Sequence, residues 1–426
     1  MNFKIKTLFI SVACLMGTPA LADSVENRIA FLENELNALK EQRVQDQQLA
    51  EAKIAALQIE DLSTSAPPKD KALSTVWSDT NIKFYGIVRM DGGLDLKDTT
   101  SAPFVSNQLP TVDQPPTGNR SALTLTATRL GMDVFKKVNA TDVKAKIEMD
   151  FWDGLEGNGK LRIRHAYVDF NHWLLGQTVS GMSNLETLTE SVDYTLFMGY
   201  TWTRTPQIRY EFNFTPEHNL KVAAEYVDSR ASELPAFTAK YVYSHGNFTG
   251  VLQGFINEKR ATVNDKDIDK IAWGTGLGFK FKPSLASSVQ AHWYNVTGDQ
   301  KFVSYTQQNS PIVNGYASGG DFSVNNQKDD LDQNKVNTFV LGYSQKLSDQ
   351  WRTNWVASFF NYDDSTDFAK NNPSSNKKLT DLAANVFYTP VQNVDIGLEY
   401  HHGKREEFSG REFDVSRVNL VTAYKF

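Results

Sequence analysis

One cysteine occurs in the 426 residues, Cys14, and it lies in an N-terminal stretch with the marks of a cleaved leader. A mature chain starting after Ala22 would contain no thiol, which excludes disulfides and thiolate metal sites. Beyond that leader no apolar run is long enough to cross a bilayer as a helix, and the mean hydropathy of −0.42 excludes a bundle of membrane helices. Positive charge is also short: Lys and Arg total 44 against 50 Asp and Glu, a formal charge of −6. A nucleic-acid partner is therefore not expected. Neither G-x-S-x-G nor His-Glu-x-x-His occurs, and the seven histidines are scattered. His401 and His402 would point to opposite faces of a strand, a poor geometry for one metal. No enzyme, metal or cofactor is indicated.

The N-terminus combines Lys4 and Lys6, an apolar core from Leu8 to Met16, and Ala20-Leu21-Ala22. This order predicts a secretory signal over 1–22. The alternative, a lipid-anchored Cys14, has a poor context in Ser11-Val12-Ala13. Residues 23–62 are rich in Glu, Gln, Lys, Ala and Leu, and Ile29, Leu32, Leu36 and Leu39 fall on one helical seam. The seam predicts a short α-helical coiled coil that breaks at Arg43. So short a helix needs support, either from the same segment of neighbouring subunits or from a surface it lies against. Residues 63–80, with Pro67-Pro68, read as a linker.

From residue 81 to 426 the apolar period becomes two. In the last ten residues Val418, Leu420, Thr422, Tyr424 and Phe426 alternate with Arg417, Asn419, Val421, Ala423 and Lys425, so the chain ends on a two-faced strand with an uncovered edge. About 16 such strands are expected: 82–96, 121–135, 142–152, 160–171, 173–181, 206–214, 220–229, 234–244, 247–257, 269–282, 287–297, 335–346, 351–363, 378–388, 393–403 and 412–426. Short turns such as Asn171–His172 and Leu347–Gln350 alternate with long polar links, Lys97–Asn119, Met182–Thr205, Thr297–Asn334 and Asp364–Lys377. That rhythm predicts an all-β transmembrane barrel of antiparallel strands with a wet lumen, in outer-membrane lipid. Aromatics near strand ends, among them Phe84, Tyr85, Phe135, Trp173, Phe212, Phe214, Trp351 and Tyr388, read as interfacial girdles.

Charged residues on the polar faces are candidates to line the lumen: Arg89, Arg129, Arg162, Arg164, Arg209, Lys240, Arg352 and Arg417. Rings of cations favour anions in a pore. Any one of them could instead pair with a nearby Asp91, Asp133, Glu148 or Glu211. The link 182–205 carries Glu186, Glu190, Asp193 and Arg204 among Leu185, Leu188, Tyr194, Leu196, Phe197, Tyr200 and Trp202, and is too apolar to stand in water. It is expected either to fold into the barrel as a constriction or to pack on a subunit interface.

Phe84-Tyr-Gly-Ile-Val-Arg-Met-Asp91, Arg162-Ile-Arg-His-Ala-Tyr-Val168, Leu174-Leu-Gly-Gln-Thr-Val-Ser180 and Pro206-Gln-Ile-Arg-Tyr210, behind an N-terminal coil, resemble the DcaP-like porins of Gram-negative bacteria. The resemblance implies a homotrimer in the cell outer membrane, its coil in the periplasm. It also implies an arginine-lined pore for small anionic solutes such as dicarboxylates, with Arg89, Arg162, Arg164 and Arg209 lining it. Tyr424 and the terminal Phe426 resemble the signal read by the barrel-assembly machinery. A different function, an outer-membrane anchor whose coil tethers to the cell wall, is also open.

Overall fold

The computed structural model describes residues 80–97, 120–152, 159–227, 232–304, 312–313, 316–317 and 320–426. The expected leader, coil and linker lie outside the described residues except for residue 80. In chain order the strands are β1 (Thr80–Lys97), β2 (Arg120–Thr124), β3 (Arg129–Val138), β4 (Thr141–Asp150), β5 (Arg162–Phe170), β6 (Trp173–Val179) and β7 (Arg204–Thr215). Next come β8 (His218–Glu225), β9 (Ala236–His245), β10 (Phe248–Val263), β11 (Lys266–Ser284) and β12 (Ser287–Thr297). The link after β12 holds four short pieces, β13 (Ile312–Val313), β14 (Tyr316–Ala317), β15 (Phe322–Val324) and β16 (Leu331–Gln333). The wall resumes with β17 (Lys335–Lys346), β18 (Trp351–Tyr362), β19 (Asn376–Val391), β20 (Val394–Glu407) and β21 (Glu412–Lys425).

Each wall strand pairs antiparallel with the next, and β21 returns to β1 from Ile87↔Lys425 to Asp95↔Arg417. The result is a closed barrel of 16 strands. It counts β2 and β3 as one strand, because both lie along β1. Closure leaves the wall no free edge. The expected strand 121–135 is broken because Leu125–Thr128 turn out of the ladder. Across the gap the Thr128 hydroxyl accepts from Arg89 N and donates to Arg89 O, both at 3.2 Å, the backbone competition typical of threonine.

Tight turns sit mostly at one end, Asn264–Asp265 between β10 and β11 being one at the other. Asn139 and Ala140, like Asn171 and His172, take positive φ at both central positions, the mirror-image turn that matches strand twist. Both chain-terminal strand ends lie at this end too. The final residue exchanges two backbone bonds with Gly86, at 3.0 and 3.1 Å. A Cβ on Gly86 would meet the Phe426 ring at 2.5 Å and Arg129 O at 2.7 Å, so the seam requires glycine.

The two faces separate as the alternation predicts. On β18 Trp351, Trp355 and Phe359 are exposed, while Asn354, Val356, Ser358 and Phe360 are buried. On β21 Leu420 and Tyr424 are outside, and Arg417, Asn419, Val421 and Ala423 inside. Trp173, Phe212, Phe214 and Trp351 are exposed as expected of girdle residues. Tyr85 is not one of them: it faces the lumen, donating to Glu148 Oε2 at 2.9 Å and accepting from Lys146 Nζ at 2.7 Å. Phe135 shares a strand parity with Arg129 and Asp133 and has Lys144 Nζ 5.5 Å from its ring centroid.

Candidate functional site: the inward loop and the charged lumen

The segment between β6 and β7, residues 180–203, contacts the polar face of strands all around the wall. Its root is held by Gly181 N, which donates to Glu225 Oε1 at 2.8 Å. Lys240 of β9 donates to Ser183 O at 2.6 Å and pairs with Glu186 at 3.0 Å. Burial works against ionising Glu186, but Lys240 and, farther off, Lys221 hold its carboxyl below the ordinary value. Gln253 of β10 donates to Met182 O at 2.7 Å, and His292 of β12 meets Gly199 O at 2.9 Å. On the β12–β19 side the contact is apolar: Leu196, Phe197 and Tyr200 pack on Val340, Val356 and Ala383. Of the two places open to this segment, the structure therefore gives it the lumen.

The far part of the loop is docked by polar groups. Arg352 of β18 makes a forked contact to Glu190, at 2.6 and 2.8 Å, and reaches Asp395 at 3.0 Å. Glu399 of β20 accepts from Val192 N at 2.8 Å and Asp193 N at 3.0 Å. It is itself held by His401, whose other ring nitrogen lies 3.1 Å from Asp381. His402 is exposed on the opposite face. Among the described residues no group of three or more His, Cys, Asp or Glu could hold a metal ion.

Tyr194 then reaches the arginines of the first strands. Its ring centroid lies 5.4, 5.9 and 5.5 Å from the guanidinium carbons of Arg89, Arg129 and Arg164. Arg164 Nη1 donates to the Tyr194 hydroxyl, which donates to Asp150 at 2.5 Å. Each arginine also has an acid. Arg89 holds Asp91 at 2.6 Å and donates to Val192 O at 2.5 Å. Arg162 forks onto Asp150 at 2.9 and 2.7 Å. Arg164 bridges Glu148 at 2.6 Å and Asp150 at 2.9 Å, and Arg129 stands 3.5 Å from Glu148. The four guanidiniums thus face Asp91, Glu148 and Asp150, with Asp193 of the loop close to Arg89. Arg417 is buried against Asp95 at 2.6 Å. Arg204 is the first residue of β7 rather than part of the loop, its guanidinium 5.9 Å from the Trp202 ring.

Arg209 differs. It and Lys221 of β8 make no ion pair among the described residues, and in the ladder Lys221 stands between Lys240 of β9 and Glu211 of β7. The nearest acid along the strand, Glu211, accepts from Asn219 Nδ2 at 2.6 Å. Lys221, Lys280 and Lys282 were not singled out in the sequence, and their alternation with apolar residues was the available signal. The roles of Tyr194 and Glu399 as loop anchors had none.

A family model described as DcaP outer membrane protein matches residues 20–426. Among solved structures the chain is similar to the outer membrane channel DcaP of Acinetobacter baumannii, with 29% identity and a TM-score of 0.71, over 85% of this chain and 100% of that one. The outer-membrane-expressed OmpT of Vibrio cholerae shares the fold at 13% identity and a TM-score of 0.54, over 82% of this chain and 98% of that one. So does an anion-selective porin from Comamonas acidovorans, at 11% identity and a TM-score of 0.53, over 82% of this chain and 100% of that one. No curated protein sequence matches it. A closed 16-strand barrel, a polar lumen crossed by its own loop and a family match over nearly the whole chain converge: the chain belongs to the DcaP family of outer-membrane proteins, channels of the Gram-negative outer membrane.

Proposed function

We propose that the chain is a diffusion channel for small hydrophilic solutes with a preference for anions, dicarboxylates in particular. The observation that carries this is Arg209, a lumen-facing cation with no ion pair among the described residues, beside Lys221, which makes no ion pair with Glu211 across the ladder or with Glu186 of the loop. The arginines around Tyr194 are largely compensated by carboxylates, so their first role is to fix the loop that narrows the lumen. An uncompensated cation within a low-dielectric wall acts on a passing anion over about a Debye length, roughly 8 Å at physiological salt. A neutral solute of equal size gains nothing from it. The working unit is a homotrimer in outer-membrane lipid, with the coil of residues 23–62 in the periplasm adding to an interface made by the barrel walls.

The test is the permeability ratio of succinate to a neutral solute of similar size in liposomes. A ratio well above one that falls in Arg209→Gln supports the reading, and a ratio near one refutes it. Removing residues 23–75 tests the assembly: the oligomer should dissociate at lower temperature on native gels while the barrel still folds.

A further inference from the structure

At the turn end of the lumen, beneath Leu188 and Glu190 of the inward loop, lies a cavity of about 340 Å³. Its wall includes Lys280 and Lys282 of β11, Ser288 of β12, Ser344 of β17 and Arg352 of β18. Of the four cations on the wall, Lys280, Lys282, Lys346 and Arg352, the last two are committed elsewhere. Arg352 is forked onto Glu190, and Lys346 pairs with Asp349 at 2.7 Å. Lys280 and Lys282, on one face of β11, have no hydrogen bond or ion pair from their side chains among the described residues. The serines are turned to donate, because Gln290 Nε2 gives its protons to Ser288 Oγ at 2.7 Å and Ser344 Oγ at 3.3 Å. With those oxygens already accepting, their O–H groups are free for an acceptor in the cavity. Glu190, the one acid on the wall, is neutralised by Arg352.

From this geometry we propose that the cavity is a binding subsite for a compact oxyanion with two negative charges, held between Lys280 and Lys282 and steadied by Ser288 and Ser344. The two lysine Cα positions are about 7 Å apart along the strand. Flexible four-carbon stems bring their ammonium groups onto the two carboxylates of a short diacid or onto one phosphate. The subsite rests on the anion-channel reading and adds to it a place where the solute pauses after the loop. Passage is then a two-stage event: selection beside Arg209 and Lys221, then residence in the vestibule.

The experiment measures single-channel conductance of the full chain against sodium succinate, with inorganic phosphate and acetate as parallel probes. Conductance through a site that holds the ion saturates. The unmodified channel should saturate at lower succinate than acetate. Lys280→Gln/Lys282→Gln should raise the half-saturating succinate about tenfold, about 1.4 kcal/mol, and Lys280→Arg/Lys282→Arg should restore it. Phosphate following succinate assigns the site to compact dianions generally, and phosphate following acetate assigns it to dicarboxylates. Identical saturation in the Gln variant and the unmodified protein overturns the subsite. The anion reading is judged separately, by the reversal potential of the unmodified channel in a chloride gradient. A preserved anion preference with unchanged saturation therefore removes the subsite alone.

Discussion

Glu190, on the loop inside the barrel, and Arg352, on β18, form a forked ion pair with both oxygens engaged, at 2.6 and 2.8 Å. The pair ties the loop to β18, three strands away from β21, which closes onto the β1 that carries Arg89 of the cluster around Tyr194. The loop is thus fixed at two places on the wall, and Leu196, Phe197 and Tyr200 add an apolar seat on β17, β18 and β19. Both charged side chains are about a third exposed, so screening limits the pair to about 1 kcal/mol or less.

Glu190→Gln should therefore leave the barrel's thermal stability nearly unchanged but loosen the loop. Single-channel recordings should show a noisier open level and a larger mean conductance. A quiet, unaltered open level would mean that Glu399 and the apolar seat fix the loop alone.

Arg164→Gln and Arg209→Gln should differ in kind. The first leaves Glu148 and the fully buried Asp150 short of a partner, and breaking a buried pair costs about 3–5 kcal/mol. Arg162 remains on Asp150 and moderates that loss. Heat-modifiable mobility on gels should shift to lower temperature in Arg164→Gln only. Ion selectivity should fall in Arg209→Gln without a stability change. Equal stability of the two variants would show that Arg164 does not hold the loop.

The link after β12 should respond to pH. Asp299 and Asp321 are buried together in it, with Lys259 2.6 Å from Asp299. Burial, then the charge of Asp299, pushes the Asp321 carboxyl up to about 7. A carboxyl whose folded value is raised keeps its proton better in the folded state. Its ionisation therefore opposes folding, and stability falls as pH rises from the ordinary carboxylate range through about 7. Limited proteolysis of this link should be faster at pH 8 than at pH 5, and Asp321→Asn should flatten the difference. An unchanged pH dependence in that variant would assign it to another group.

The seam between β1 and β21 should tolerate no side chain at Gly86. Gly86→Ala places a methyl within 2.5 Å of the Phe426 ring and 2.7 Å of a backbone oxygen. Removing Phe426 takes away the residue that exchanges both closing bonds. Both changes should sharply reduce folded barrel in the outer membrane while export continues. Normal yield of either would contradict the role given to this contact.

The wall strands were legible because alternation states a residue's face before its partner is known. The expected strand 335–346 coincides with β17, and 287–297 with β12. Pairing was not legible, since it depends on register. Arg164 meets Glu148 and Asp150 only because β4 and β5 slip at Glu148/Met149, a shift no local pattern announces. The destination of the loop was half legible: its apolar residues required burial, but lumen and subunit interface satisfy that equally. Tyr85 was misplaced because a strand-end tyrosine looks the same whether its hydroxyl seeks lipid headgroups or, as here, Glu148. The free lysines of β11 were hidden for the converse reason, since lacking a partner is a property of neighbouring strands.

Arg209 and Lys221, lumen cations without an ion pair among the described residues, are proposed to make this lumen prefer anions. The reversal potential of the purified full chain in a planar bilayer, across a potassium chloride gradient, tests it most directly. The account predicts a chloride over potassium permeability ratio above one at about 0.1 M salt. The ratio should shrink toward one near 1 M, as the Debye length falls from about 10 Å to about 3 Å. A potassium-preferring channel at low salt, or a barrel that carries no current, would contradict it.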